Sequence, residues 1–415
     1  MRERLMKGIG LVQERGVRGA FKIAVDRGVS RWATQNRLRN EVQLIEELSH
    51  YHDVRQTSAL AVDDRQVIVW VVPWFPAVYG GLRTIYRAVE ALQRRTELRV
   101  VLLTYLDHGR PQPGVHKGRI RDAIRRYVEL PVEDILFLGD DDLPVADAVV
   151  ATAWESVYLI AGSTLTSVNR KYYFIQDFEA AFLPAGSIGA LVEATYRMGF
   201  KAIVNTPGLR DFLSSKFALD SVAFVPGIDH DVFHSSGRSV RRNIVTVFFY
   251  GRPTIDRNGF ALAVAVLKRI KQLRPNVRIV SAGEPWSPRR FGVSRGMENL
   301  GRLTVEETGN LYRGTDVGLV LMFSPHTSYI PLELMASGVA LVTNVHPSKD
   351  WIMKDRQNCL LVPPTHDCLV SAVLRLVDDP ELAERLGRRA VADTSSLSWD
   401  HSFDRLHEWL TSGWN

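Results

Sequence analysis

The sequence predicts an α/β protein built from two parallel-sheet domains, with a helical extension at the N-terminus. Short apolar runs such as residues 67–75 (VIVWVVPWF) and 244–250 (IVTVFFY) are typical of parallel strands buried on both faces. Stretches with helical periodicity separate these runs, as in a parallel sheet wrapped by helices. The polar, basic stretch 234–242 divides them into two sets, and 415 residues suffice for two domains with separate cores.

The composition excludes several classes of protein. With 46% hydrophobic and 24% charged residues, the chain has an ordinary soluble globular composition. The two cysteines, Cys359 and Cys368, form neither a disulfide framework nor a metal-ligand cluster, which fits a reducing compartment. No apolar run approaches the roughly 18 residues of a membrane span, and the basic N-terminus lacks the apolar core of a signal peptide. We therefore expect a cytoplasmic protein.

The N-terminal extension, residues 1–60, carries the basic character of the chain. Residues 1–40 hold ten Lys/Arg and three Asp/Glu, whereas the remainder holds 42 and 43. Because the body is nearly neutral, nucleic acid is not expected as a partner. Apolar residues recur in the extension at helical spacing, so it either lies on an anionic membrane surface or packs on the body. We favour peripheral contact with the inner face of the cytoplasmic membrane.

The predicted N-terminal domain, residues 61–235, begins with the strand at 67–75. Gly80 and Gly81 follow at the turn into a helix, where glycine allows a ligand to approach the backbone. They are candidates for substrate binding, although any tight turn between a strand and a helix can use such a pair. Further strands are expected at residues 99–106, 135–138, 148–152, 172–175, 201–204 and 222–225.

Two acidic stretches in this domain each have two interpretations. The stretch 172–179 (YYFIQDFE) places Asp177 directly after a buried strand, at the carboxyl edge where ligands bind to such sheets. Asp177 is either a catalytic group on the acceptor side or the cap of the following turn. Asp140 and Asp142 form an Asp-x-Asp pair, which either holds a divalent metal or belongs to a solvated turn. We favour the turn and expect no metal site.

The predicted C-terminal domain, residues 236–395, opens with the strand at 244–250. Arg252 follows this strand almost at once, and Arg257 lies five residues further along. Two arginines in one strand-to-helix loop suit the bidentate binding of phosphate. Surface solubility is the alternative, but a position directly after a buried strand favours the phosphate site.

The stretch 316–344 is predicted to form a strand–loop–helix–strand unit. Its parts are a strand at 317–323, a loop at 324–330, a helix from Pro331 and a strand at 340–343. The N–H groups of the loop, which contains Thr327, Ser328 and Tyr329, suit an anion such as a phosphate. Glu333 lies in the first turn of the helix. It either accepts a hydrogen bond from a sugar hydroxyl or only complements the helix dipole.

These motifs resemble, in the same order, those of retaining GT-B glycosyltransferases of family four. The similarity spans roughly residues 65–395, and residues 331–344 resemble the LLEAMASGxPVVxTN segment of that family. The segment FVPGIDHDVF resembles its VIPNGVD…F turn, with the asparagine absent. Glu333 matches the second of the paired glutamates of the family, whereas Pro325 stands at the position of the first.

The resemblance implies a GT-B fold, in which two Rossmann-like domains face a cleft and the nucleotide binds to the C-terminal one. Arg252 and Arg257 would neutralise the departing diphosphate, so that no metal cofactor is needed. Glu333 would hold the ribose, and Asp177 would orient or deprotonate the acceptor hydroxyl. The last helix, within residues 396–415, would cross back to the N-terminal domain.

A narrower resemblance, to bacterial rhamnosyltransferases that build surface polysaccharide, lies in YYFIQDFE, the arginine loop and SPHTSYIPLE. It implies dTDP-L-rhamnose as the donor, and a growing surface polysaccharide or lipid-linked glycan as the acceptor. Three alternatives stay open. They are a glycosyltransferase that uses another nucleotide sugar, a nucleotide-sugar epimerase with the same fold, and a non-catalytic sensor of sugar nucleotides.

Overall fold

A computed structural model describes residues 35–48, 54–60, 64–74, 80–105, 117–238, 244–293 and 296–411. Two parallel sheets lie within these residues, so the predicted α/β fold with two Rossmann-like domains is confirmed. Most of the basic arm, residues 1–34, lies outside the described residues, and so does the prediction of membrane contact made for it. None of the helices in the described ranges is long and apolar enough to cross a membrane.

The N-terminal half contains a seven-stranded parallel sheet and a separate two-stranded pair. Its elements in chain order are α1 (35–48), β1 Gln56–Thr57, β2 Val67–Pro73, α2 Gly80–Arg95, β3 Arg99–Tyr105, α3 Lys117–Arg125, β4 Ile135–Phe137, β5 Leu143–Pro144, β6 Ala148–Ala151, α4 Trp154–Ala161, β7 Arg170–Ile175, α5 Ser187–Thr195, β8 Lys201–Asn205, α6 Pro207–Phe217 and β9 Ser221–Phe224. The sheet has the order β4-β3-β2-β6-β7-β8-β9, and β1 pairs with β5.

The C-terminal half contains a six-stranded parallel sheet. Its elements are β10 Thr246–Gly251, α7 Phe260–Leu273, β11 Arg278–Gly283, β12 Met297–Asn299, α8 Val305–Arg313, β13 Val317–Leu319, α9 Tyr329–Ala336, β14 Ala340–Asn344, β15 Leu360–Val362, α10 His366–Asp378, α11 Pro380–Thr394 and α12 Trp399–Thr411. The sheet has the order β12-β11-β10-β13-β14-β15. Helix α12 packs against α2 and β9 of the N-terminal half.

Alternation along the strands builds a core on each face of a sheet. In β2, Ile68 and Trp70 enter the core on one face, while Val69 and Val71 enter the core on the other. Because both faces are covered, the run contains almost no polar residue, which is why sequence reasoning recognised it as a buried strand. Helix α1 packs on the same domain through Leu48, so this part of the extension contacts the body.

The strand orders position the functional loops. In each sheet the order reverses beside one central strand, β2 in the first and β10 in the second. Ligands of such sheets bind outside the carboxyl ends of the strands at this reversal. The chain after β2 leads to Gly80, and the chain after β10 leads to Arg252. The sequence therefore places its candidate residues where the topology opens a crevice.

The unit at 316–344 differs in detail from its prediction. Strand β13 ends at Leu319 instead of continuing to Phe323, because the chain leaves the sheet there and the Phe323 N–H donates to the carbonyl of Arg257 (2.8 Å). Helix α9 begins at Tyr329, two residues before Pro331. Its N-cap, Ser328, has a positive φ of 66°, a conformation that sequence patterns do not indicate.

The two domains touch through their backbones. A Cβ placed on Gly208, in the first turn of α6, would overlap the carbonyl of Ser348 in the other domain. A Cβ on Gly227 would likewise overlap the backbone at Trp399, where α12 crosses back to the N-terminal half. Glycine is thus required at both positions because another backbone occupies the space of a side chain.

Gly208→Ala should weaken the contact between the domains, because the added methyl meets a backbone carbonyl that has no rotamer to adopt. We expect a loss of stability of roughly 1–3 kcal/mol, measured by urea unfolding, and a larger radius of gyration in solution scattering. The matched control is Gly118→Ala on α3, where a Cβ meets nothing within 4 Å. Equal changes in stability and in radius of gyration for the two variants would contradict the close approach of the two backbones at Gly208.

Candidate active site

A cavity of about 460 Å³ lies between the two domains. Its N-terminal wall comes from the first turns of α2, and its C-terminal wall comes from the end of β10, from α8 and from α9. Trp399, the first residue of α12, closes one side. A concave site of this size, between domains and at the carboxyl ends of strands, is where a small ligand binds in such folds.

Arginine side chains of both domains line the cavity. Arg252 follows β10, and its Nε lies 3.5 Å from Oε1 of Glu284, which is a loose contact. Arg83 lines the cavity from α2, and its side chain has no hydrogen bond or ion pair among the residues that the structure describes. Nη1 of Arg252 also donates to the hydroxyl of Tyr250 at 3.5 Å. An anionic ligand can therefore bind Arg83 directly, and it can bind Arg252 by replacing two long contacts.

A third arginine of the cavity is already paired. Arg87 donates from Nη2 to Oδ2 of Asp229 at 2.8 Å, and its guanidinium lies 4.5 Å from the ring centre of Trp399. This contact joins α2 to the junction between the domains and to α12. The charge of Arg87 is thus satisfied by the protein itself. Its contacts hold the walls of the cavity together.

Glu333 lines the cavity from α9. Burial raises the pKa of its carboxyl to about 7, with a further increase from Asp229, while Arg83 and Arg87 act in the opposite direction. Its carboxylate has no hydrogen-bond partner within the described part of the chain. A carboxyl group in this position is well placed to bind a hydroxyl of the ligand.

Asp177 and Arg257, predicted for different roles, face each other across the domain boundary. Nε of Arg257 lies 3.6 Å from Oδ2 of Asp177, and its guanidinium lies 3.9 Å from the ring centre of Phe182. The carboxylate of Asp177 accepts from the Phe178 N–H (2.8 Å) and the Ser324 hydroxyl (3.1 Å). Both arginines thus lie 3.5–3.6 Å from a protein carboxylate, but only Arg252 also lines the cavity.

The predicted glycines lie close to side chains of both domains. Gly80 lines the cavity, and a Cβ on it would lie 3.7 Å from the ring of Tyr329. A Cβ on Gly81 would lie 3.4 Å from the amide of Gln176. Both positions therefore bring the start of α2 close to other parts of the site.

The predicted loop residues mostly contact the protein. The hydroxyl of Thr327 accepts from Nε1 of Trp351 (2.8 Å), and the Ser328 N–H donates to Nδ1 of His326 (3.2 Å). The hydroxyl of Tyr329 contacts Thr84 (2.9 Å) and Asn205 (2.7 Å) of the other domain. Thr327 and Ser328 thus shape the loop, while the ring of Tyr329 lines the cavity.

The Asp-x-Asp pair lies away from the cavity. Asp140 pairs with Lys117 (2.8 Å), and Asp141 accepts from the Phe137 N–H (2.9 Å) and contacts Arg121. No group of three metal-ligating side chains able to hold an ion occurs among the residues described. These contacts are those of a turn stabilised by its neighbours.

Sequence reasoning missed Arg83, Arg87, Asp229 and Trp399. The first two lie four residues apart on the helix that follows Gly80, so they share one face. That spacing, at the start of a helix next to a predicted ligand loop, was an available signal. Asp229 lies in the segment FVPGIDHDVF, and Trp399 begins the helix that was expected to cross back, but no pattern marked either residue as part of the site.

Glu333→Gln should change how the free energy of unfolding depends on pH. The pKa of about 7 in the folded state lies above the ordinary 4.5, so the wild type loses stability as the pH rises between these values. The variant, which cannot ionise, should be more stable than the wild type by roughly 1–3 kcal/mol at pH 8 and equal to it near pH 4. Urea unfolding at both pH values measures this difference. Glu306→Gln, at an exposed position, provides the control. If the difference in stability between Glu333→Gln and the wild type stayed constant with pH, the raised pKa of Glu333 would be contradicted.

The sequence of the chain is similar to a family model and to a curated protein. Residues 245–374 match the family model described as WsaF, C-terminal domain. The chain is 38% identical over 350 residues to the O-antigen biosynthesis protein RfbC of Myxococcus xanthus. This match covers 83% of the chain but 27% of RfbC, so the chain spans about a quarter of the length of this curated relative.

The fold is similar to solved glycosyltransferase structures. WaaG, a glycosyltransferase involved in lipopolysaccharide biosynthesis, matches with a TM-score of 0.57 and 15% identity over 84% of this chain and 100% of its own. HepE of Anabaena in complex with UDP matches with a TM-score of 0.61 and 13% identity, over 84% and 100%. At such identities the likeness concerns the fold alone. The chain therefore has the GT-B fold of these glycosyltransferases, and its residues 245–374 are similar to the C-terminal domain of WsaF.

Proposed function

We propose that this chain is a retaining glycosyltransferase that transfers L-rhamnose from dTDP-L-rhamnose to a growing surface polysaccharide or lipid-linked glycan. One observation carries the proposal. The cavity between the domains presents Arg83, which has no partner among the described residues, and Arg252, whose contact with Glu284 is 3.5 Å long, beside the carboxyl group of Glu333. A nucleotide sugar needs this combination, because it joins a dianionic diphosphate to hydroxylated rings.

The diphosphate lies between Arg252 and Arg83 in this proposal. Negative charge grows on the leaving diphosphate as the bond to the sugar breaks, and fixed cations that already face that position lower the barrier. Arg83 belongs to one domain and Arg252 to the other. Bound diphosphate therefore also draws the two domains together.

The nucleoside lies against the remaining wall of the cavity. Glu333 accepts a hydrogen bond from the 3′-hydroxyl of the deoxyribose, and the base contacts the apolar side formed by Ile228, Leu303 and Val305. A neutral base on an apolar surface and a hydroxyl on a carboxylate both match the polarity of their surroundings.

Asp177 is the proposed group on the acceptor side. Its two hydrogen bonds leave lone pairs on the carboxylate for the acceptor hydroxyl. Arg257 holds this carboxylate in place from the other domain. The acceptor hydroxyl attacks the anomeric carbon on the face from which the diphosphate leaves, so the configuration is retained.

The comparisons support parts of this proposal. The name of the relative RfbC refers to O-antigen biosynthesis, and HepE is a neighbour in fold that was solved with UDP. The first favours a polysaccharide product, and the second favours a substrate that contains a nucleotide. The choice of dTDP-L-rhamnose depends on the resemblance of YYFIQDFE and SPHTSYIPLE to rhamnosyltransferases.

Two further proposals depend on the sequence alone. We propose that turnover needs no metal, because arginines carry the diphosphate, and that the basic residues 1–40 bring the enzyme to an anionic membrane surface. Loss of turnover in EDTA would contradict the first. Failure to sediment with anionic liposomes at low salt would contradict the second.

Release of dTDP tests the activity directly. The chain is incubated with dTDP-L-rhamnose, with and without a rhamnose-containing surface glycan, and UDP-glucose serves as the parallel donor. Release of dTDP only with the glycan identifies a transferase, and conversion of the sugar without a glycan identifies an epimerase. Binding without either reaction identifies a sensor. A reaction with UDP-glucose but not with dTDP-L-rhamnose would contradict the proposed donor.

Arg252→Ala should weaken the binding of dTDP by about 1.5–3 kcal/mol, the range for a hydrogen bond to a charged group. Arg83→Ala should also weaken it, whereas Arg257→Ala should have a smaller effect because Arg257 does not line the cavity. Titration calorimetry measures all three. Arg274→Ala is the control, since Arg274 pairs with Asp378 on the surface. Unchanged affinity in Arg252→Ala would remove this arginine from the diphosphate site.

Asp177→Asn keeps the size of the side chain but removes its charge. We expect turnover to fall about 100-fold or more, because the acceptor hydroxyl loses its base, while the affinity for dTDP stays near that of the wild type. Asp211→Asn, on an exposed position of α6, is the control. Normal turnover in Asp177→Asn would leave Asp177 with a structural role only.

A further inference from the structure

A lysine side chain is fully buried at the carboxyl edge of the C-terminal sheet. Lys349 ends the short turn that follows β14, and its exposed fraction is 0%. No acidic side chain pairs with it among the residues that the structure describes, and burial lowers its pKa to about 7, against a smaller effect of Cys359 in the opposite direction. Burying a charge costs free energy, so an apolar side chain of similar length would fill this space more favourably. Packing alone therefore does not explain a lysine here.

The ammonium group of Lys349 donates to three oxygen atoms. These are Oγ1 of Thr343 (3.0 Å), the carbonyl of Asn344 (2.7 Å) and Oδ1 of Asn344 (3.0 Å). An ammonium group has three donors and no acceptor, so its hydrogen-bonding capacity is fully used. Because it can only donate, the oxygen of the Asn344 amide, and not the nitrogen, must face it. Lys349 thus fixes the orientation of this amide.

The amide of Asn344 takes the place of a neighbouring strand at Met322. Oδ1 accepts from the Met322 N–H, and Nδ2 donates to the Met322 carbonyl, both at 2.9 Å. The pairing of β13 with β14 ends at Leu319, so a side chain supplies here the two bonds that a strand would make. With the amide reversed, donor would face donor and acceptor would face acceptor, and both bonds would be lost.

The segment that this amide holds contacts both members of the Asp177–Arg257 pair. The Phe323 N–H donates to the carbonyl of Arg257 at 2.8 Å, and the hydroxyl of Ser324 donates to Oδ2 of Asp177 at 3.1 Å. Nε of Arg257 lies 3.6 Å from the same carboxylate oxygen. A displacement of this segment would therefore move the arginine and change a hydrogen bond of the carboxylate at the same time.

The turn that contains Lys349 also meets the N-terminal domain. The carbonyl of Ser348 lies against Gly208 of α6 and accepts from the hydroxyl of Thr327 at 3.4 Å. Lys349 is the next residue in the chain, so its three hydrogen bonds anchor the turn where the two domains touch. The lysine is thus connected to the domain boundary on two sides.

We propose that Lys349 positions the carboxylate of Asp177 through the amide of Asn344. The inference rests on the proposed function, in which Asp177 orients or deprotonates the acceptor hydroxyl. Lys349 is a positioning residue and not a catalytic one, because its buried side chain touches no substrate. A base acts only within hydrogen-bond reach of the proton that it takes, and a misplacement of about 1 Å can lower the rate about 100-fold.

The first test follows the segment itself and needs no activity. Lys349→Met removes the ammonium group at similar length, and Thr343→Val removes one of its acceptors with little change in shape. Lys354→Met, at an exposed position five residues further along, is the matched control. Hydrogen exchange, measured by mass spectrometry at about pH 6, compares the peptide at residues 320–326 with helix α7. At this pH the ammonium form of Lys349 predominates.

We expect the peptide at residues 320–326 to exchange about tenfold faster in Lys349→Met, while α7 exchanges as in the wild type. Thr343→Val should show a smaller change in the same peptide, and it decides the question if Lys349→Met does not fold. Equal exchange in Lys349→Met and Lys354→Met would overturn the positioning role.

The second test is a double-mutant cycle with Asp177→Asn. Lys349→Met should lower turnover about tenfold in the wild-type background, whereas the affinity for dTDP should change less than twofold. In the Asp177→Asn background it should change turnover less than twofold, because no base remains to be positioned. Equal losses in the two backgrounds would indicate a merely structural role and overturn the proposal. A wild-type chain without transferase activity, or normal turnover in Asp177→Asn, would overturn the proposed function instead.

Discussion

Tyr329 begins a helix of the C-terminal domain, but its hydroxyl contacts Thr84 and Asn205 of the N-terminal domain. This pair of contacts sets the distance between the carboxyl edges of the two sheets. The cavity exists because these edges face each other at that distance, with Gly80 against the same tyrosine ring. Removing the hydroxyl would leave Asn205 with a further unpaired group in a buried interface.

Charge within the site is divided between groups that hold the protein together and groups that remain available. Two ion pairs join separate parts of the chain. Arg87 pairs with Asp229, and Arg257 pairs with Asp177 of the other domain. Removing either partner would leave a charge partly withdrawn from water, so these pairs favour one arrangement of the domains. Arg83 has no partner among the described residues, and Arg252 contacts Glu284 only at 3.5 Å, about as loosely as Arg257 contacts Asp177. An anionic ligand thus gains their full charge without displacing a well-formed ion pair.

Several features of the site come at a cost to the stability of the fold. The carboxyl group of Glu333 is buried enough to raise its pKa to about 7, Lys349 is buried with no acidic partner in the described part of the chain, and Ser328 has an unfavourable φ. None of these would persist in a protein optimised for stability alone. Their concentration at the carboxyl edge of the C-terminal sheet indicates that function, and not packing, accounts for them.

The sequence by itself determined the elements and the edge on which function lies. Continuous apolar runs identified the strands. The loops and helices that follow these strands contain Gly80, Arg252 and Glu333. They lie at the carboxyl ends of the strands because the direction of the chain fixes which end of a parallel strand comes last. The partners of these residues were decided only by the tertiary structure. Thr84 and Tyr329 are 245 residues apart, and Asp177 meets Arg257 from the opposite domain. Local periodicity carries no information about such pairs, because they form only when two separately folded sheets come to face each other.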